Sequence, residues 1–238
     1  MVLSESEKLF QQYYDRLIIE TLHARAHINL WERLEKYKPT EYIDVLNQAQ
    51  YFFPFTIKAH LDDVLSTLSR IVDKQSDSLT IWKFLNFIEQ NLNLFSSQEF
   101  QQRMNKDQAY IDDKAYWDAS HKDITLKDVN EDRQKLATLQ TSIGNLNKWR
   151  DKIIAHIDHQ FLISGKIISK EYPLQIEELY KIVDTLFEIL NRYSASFRDS
   201  TYAKIYPGED DIQFVMDCVR FYLEEHRRQI QALIKQKP

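Results

Sequence analysis

Glycine and proline are scarce in this chain, three and five residues out of 238. Average usage would be about 7% and 5%, and these two residues punctuate turn-rich folds. A chain so poor in them is read as long helices joined by few loops, an all-α bundle rather than a sheet protein. Aromatic residues make up 13% of it, bulk enough to fill a wide helical core. The length suffices for one large domain, and no repeat or low-complexity linker divides it, so a single all-α domain over 1–238 is expected.

Apolar spacing predicts the helices. The first runs over about 4–37, opened by Ser4 with Glu7 three residues on, a capping-box pattern. A second, capped by Thr40, runs to about Asp73, with Pro54 kinking or splitting it. A turn at Ser76-Asp77-Ser78 caps a helix from Leu79 to Leu92. Residues 93–127 are polar but hold Phe95, Phe100, Tyr110, Tyr116 and Trp117, which points to short helices that still pack. One long polar helix is expected over 127–156. Residues 160–169 alternate around a single glycine and are read as a small hairpin. Pro173 opens a helix to about Phe197; Tyr206-Pro207-Gly208 is a turn; the last helix begins acidic at Glu209-Asp210-Asp211 and ends basic at Arg227, Arg228, Lys235 and Lys237.

The net charge of −5 argues against a dedicated high-affinity nucleic-acid binder, though not against an enzyme with a small RNA site. The single cysteine, Cys218, excludes an intramolecular disulfide and a Cys-rich zinc site, and its apolar surroundings predict a small core residue. The N-terminus lacks the pattern of a secretory signal, and no run reaches the roughly 18 apolar residues of a membrane span. A cytoplasmic protein with no membrane partner is therefore expected.

The chemistry gathers in Lys148-Trp149-Arg150-Asp151-Lys152-Ile153-Ile154-Ala155-His156. An imidazole moves protons near neutral pH and a guanidinium holds a phosphate bidentately. Together they meet two needs of RNA cleavage, proton transfer and charge at the phosphorane. Arg150, Asp151 and His156 are the candidate catalytic residues, with Lys148 and Lys152 as candidate substrate-binding cations. On a straight helix Arg150 and His156 stand roughly 120° and about 9 Å apart. Either the helix end is distorted or two copies share one cleft. On chemistry alone a solvated helix end accounts for the same residues, and Lys152 with His156 then forms an ordinary surface pair.

An arginine, a polar residue, a few positions and a histidine at a helix end resemble the motif of HEPN domains. With Leu65-Ser66-Thr67-Leu68-Ser69-Arg70-Ile71-Val72-Asp73 and Ser78-Leu79, the stretch from Trp149 to Asp158 resembles the abortive-infection, AbiU-type branch over roughly 40–195. The resemblance implies a helical bundle that dimerises so that two Arg–His motifs line one cleft. It implies a metal-independent endoribonuclease of a toxin–antitoxin or phage-defence system, acting on single-stranded RNA, with an antitoxin such as a small nucleotidyltransferase as partner. Some HEPN proteins are non-catalytic interaction modules, and that class stands as the alternative.

Metal sites are weaker readings, and no cofactor is expected. His23 and His27 have a ligand spacing, but Arg25 between them would repel a dication. His60, Asp62 and Asp63 are equally explained by a solvated helical face. Near Arg150 the sequence holds no cluster of carboxylates or Cys/His ligands for a two-metal mechanism. The basic residues Arg220, Arg227 and Arg228 face Glu224 and Glu225, a strip read as solvation and helix-end complementation.

Overall fold

A computed structural model describes residues 3–74, 77–105, 107–154, 158–204 and 210–235. Among these residues there are thirteen α-helices and no strand, the all-α class that the glycine and proline poverty predicts. In chain order they are α1 (Glu5–Tyr37), α2 (Ile43–Gln48), α3 (Phe52–Val72), α4 (Ile81–Gln90), α5 (Ser97–Met104), α6 (Gln108–Asp112), α7 (Lys114–Ser120), α8 (Leu126–Thr138), α9 (Gln140–Trp149), α10 (His159–Ile163), α11 (Ile168–Glu171), α12 (Ile176–Arg198) and α13 (Asp211–Lys235). The chain packs as two compact units, one of residues 1–25 and 65–204, the other of 26–64 and 205–238.

The first unit is built on α12. Leu179, Ile182, Val183, Leu186, Leu190, Tyr193 and Phe197 recur at three- and four-residue steps and are all buried. Phe10 of α1 packs 4.4 Å from Phe197, centroid to centroid, and 5.3 Å from Phe95. Phe84 of α4 meets Tyr193 edge-on at 5.6 Å. Each such side chain contributes roughly 1.5–3 kcal/mol on full burial, so the ring cluster is a principal source of this unit's stability. Polar ties set the azimuth of the neighbouring helices. Ser142 of α9 donates to Glu178 of α12 at 2.6 Å, and Arg192 of α12 lies 3.3 Å from the wholly buried Asp132 of α8.

The second unit packs Leu34, Tyr37, Val45, Leu46, Phe53, Ile57 and Met216 into its own core. Ion pairs join α13 to the α2 region, Arg220 to Glu41 at 2.9 Å and Arg227 to Asp44 at 2.7 Å. The basic strip of α13 is thus matched by acidic partners. Its outer face carries exposed Phe214, Phe221, Tyr222 and Leu233.

Several expectations are corrected. The helix predicted to Asp73 splits at Ala49, and Pro54 sits in the first turn of α3, where a missing N–H costs nothing. Thr80, not the serines before it, caps α4 by accepting from the Lys83 N–H. The long helix over 127–156 is broken at Leu139 into α8 and α9. No hairpin forms at 160–169: short helices α10 and α11 flank Gly165, which takes a left-handed φ of 67° and ends the helical turn before it. Cys218 is exposed, because the inward face of α13 is the one bearing Met216. The turn read at Tyr206-Pro207-Gly208 lies outside the described residues.

Candidate functional site

The site lies where α9 ends, and three tethers hold this helix along its length. Besides the Ser142–Glu178 bond, Asn145 Nδ2 donates to the Pro173 carbonyl at 2.6 Å, and Trp149 Nε1 donates to the Tyr172 carbonyl at 2.8 Å. The helix then widens into a π turn over Arg150–Ile154. Such turns are rare and occur mostly as local insertions at functional sites. The helix end is therefore distorted at Arg150–Ile154.

Arg150 opens this turn and is held from both sides. Its Nη1 donates to Asp73 Oδ2 at 3.0 Å, and its Nε and Nη2 both meet Asp151 Oδ1 at 2.8 Å. Burial works against its charge, but the two carboxylates outweigh it and hold the guanidinium above its ordinary pKa. The Asp73 side chain is 20% exposed and that of Asp151 50%. Asp73 is therefore the enclosed anchor and Asp151 the partner that water, or a substrate phosphate, can displace.

The other candidates divide. Lys152 is pinned to Asp158 Oδ2 at 2.9 Å, which raises its pKa, and its ammonium lies 5.1 Å from the Phe161 ring centroid. Lys148 is exposed and lines a cavity of about 420 Å³ together with Asp73, Lys74, Trp82, Asn147, Arg150 and Asp151. His156, the candidate proton-transfer group, lies outside the described residues.

Asp73 closes the Leu65–Asp73 stretch quoted for the resemblance, but its pairing with Arg150, 77 residues away in sequence, is not legible there. No local spacing signals it; only folding α3 against α9 brings it in. Asp73 thus joins Asp151 beside Arg150, and both carboxylates bond the guanidinium. Among the described residues no group of three or more His, Cys, Asp or Glu side chains is placed to hold a metal. In the second unit His27 Nδ1 is 3.1 Å from Asp63 Oδ2, and the His27 and His60 rings stand edge-to-face at 4.9 Å. Burial, then the neighbouring His27, lowers the pKa of His60. Asp62 pairs with Lys58. No described helix is long and apolar enough to cross a membrane.

The all-helical fold is consistent with a HEPN-like protein. The family HEPN_AbiU2, described as AbiU2, matches residues 7–221. The chain belongs to this family, which makes it a defence- or toxin-related HEPN domain. No curated protein and no solved structure gives a significant match.

Proposed function

We propose that the chain is a metal-independent endoribonuclease of a toxin–antitoxin or phage-defence system, cutting single-stranded RNA. The observation that carries this reading is Arg150 itself, fixed in a π turn by Asp73 and Asp151 beside a cavity that Lys74 and Lys148 also line. A phosphate displacing Asp151 would meet the Nε and Nη2 edge, the geometry that guanidinium offers to phosphate.

In the mechanism the substrate's 2′-hydroxyl oxygen attacks the phosphorus and the 5′-oxygen leaves. His156 takes or returns the proton, and Arg150 offsets the charge of the phosphorane. A homodimer would let each cleft draw on both chains, and a neighbouring antitoxin, such as a small nucleotidyltransferase, would restrain the activity.

Arg150→Ala and His156→Ala should each lower cleavage by on the order of a hundredfold or more, with helical content and melting temperature nearly unchanged. Cleavage should persist in EDTA, leave a 2′,3′-cyclic phosphate, fail with a 2′-deoxy residue at the cut, and vary with pH in the imidazole range. Loss on chelation with rescue by magnesium or manganese would overturn the mechanism.

One observation favours the second reading, a non-catalytic interaction module: all three guanidinium nitrogens of Arg150 already face carboxylates. No cleavage of any RNA by the folded protein would establish that reading.

A further inference from the structure

The cavity beside Arg150 is larger than a guanidinium–phosphate contact requires, and its walls differ in chemistry. Aliphatic side chains of α3, α8 and α9 line it together with the Trp82 indole. That ring is fixed, because its N–H donates to the Val72 carbonyl at 2.9 Å. At the cationic side, the Lys74 ammonium sits 4.3 Å from the Trp82 ring centroid, and exposed Lys148 and Arg150 complete the set.

Two further features have no structural use. Asn147 Oδ1 is buried without a hydrogen-bond partner, a costly state for an acceptor in a helix whose neighbours are satisfied. Gly144 lies inside α9, where glycine is destabilising relative to alanine. A Cβ placed on it would meet nothing within 4 Å, so no close approach requires the glycine. What its missing side chain leaves is room in the cavity wall.

A cavity with apolar and aromatic walls, the amides of Gln140 and Asn147, and cations beside the carboxylates of Asp73 and Asp151 fits an aromatic heterocycle still joined to its phosphates. A free phosphate has no need of the apolar walls, and an apolar ligand none of the cations. We infer that this cavity is a base-reading subsite, taking the nucleobase beside the phosphate that Arg150 holds, with the Asn147 amide reading its edge. This rests on the ribonuclease reading above.

The test uses four homopolymeric oligoribonucleotides of A, C, G or U with the full chain, measuring cleavage and, with non-cleavable 2′-O-methyl versions, binding by fluorescence anisotropy. The wild type should prefer one base. Gly144→Leu, which fills the wall, and Asn147→Leu, which removes the amide at similar volume, should each lose about tenfold on the preferred oligomer and fall to the level of the others. If the amide were only a structural burden, Asn147→Leu would gain stability and keep the preference.

Equal cleavage of all four oligomers by the wild type, or preference retained in both variants, overturns the subsite and leaves the ribonuclease standing. Absence of cleavage by the wild type removes the ribonuclease instead. The binding arm then decides the subsite: base-selective binding lost in Gly144→Leu sustains it, and unselective or absent binding ends it.

Discussion

At the scale of single residues, the proposed function turns on Arg150, and its two carboxylate partners should act in opposite directions. Asp73 holds Nη1 from an enclosed position, whereas Asp151 occupies the edge that a phosphate needs. Asp73→Asn should loosen the guanidinium and lower kcat/KM by about tenfold, with Asp73→Glu recovering part of the loss. Asp151→Asn should instead lower KM, because the phosphate no longer competes with a charge. Equal losses in both variants would mean that the pair acts as one structural clamp. A second residue-scale consequence concerns Asp132, wholly buried in α8. Burial raises its pKa above 3.8, against the opposing pull of Arg192 and Lys135. The folded chain then binds this proton more tightly than the unfolded chain, so stability from this group falls as pH rises through the raised value. Urea unfolding of wild type and Asp132→Asn from acid to neutral pH should show the wild type losing ground to the variant as pH rises. Glu7 and Glu178, whose pKa values are lowered, contribute equally in both proteins and cancel in this comparison. A gap that widens in favour of wild type would show that the ion pair with Arg192 outweighs burial.

At the scale of elements, local signals were legible only in part and tertiary ties were not legible at all. The Ser4–Glu7 capping box is present, with Ser4 N–H donating to Glu7 Oε2 at 2.8 Å and Glu7 N–H to Ser4 Oγ at 3.2 Å. The short helices in 93–127 are there too, and buried Phe95, Phe100 and Tyr110 are the side chains that pack them. The break at Leu139 carries no glycine or proline; the neighbouring α9 is held by Ser142 reaching Glu178, a bond spanning 36 residues. The false hairpin came from a short period-two alternation, which cannot be told from two single-turn helices around a glycine. The sequence reading starts this helix near Lys127, yet Thr125 caps α8: its Oγ1 accepts from the Asp128 N–H at 3.4 Å, and Asp128 Oδ2 accepts from the Thr125 N–H at 2.8 Å. Because α8 carries Asp132 and backs α9, Thr125→Ala should cost about 1 kcal/mol in urea unfolding, with Thr125→Ser nearly neutral. An unchanged midpoint in the alanine variant would show that packing of Val129 and Leu136 alone sets this helix.

At the scale of the whole molecule, composition told the fold class but not the division into two units. Two of the boundaries fall inside α1 after Arg25 and inside α3 after Val64, where the chain continues as helix with no linker to read. The family match over 7–221 likewise extends beyond the 40–195 stretch whose residues carry the resemblance. What remains to be decided at this scale is how many chains make one site. Arg150 and His156 are six residues apart in sequence, and a π turn covers Arg150–Ile154. If one chain brings both groups to one phosphate, a single chain is competent, and each inactive variant stays inactive whatever it is mixed with. If the cleft is shared, as in the homodimer proposed above, a mixed dimer of Arg150→Ala and His156→Ala chains holds one site with both groups intact. Mixing the two inactive proteins at equal concentration, after dissociation and reassembly, should then restore about a quarter to a half of wild-type cleavage, according to random pairing of subunits. Light scattering at micromolar concentration should give twice the chain mass. A strict monomer with no recovery on mixing would assign the whole site to one chain.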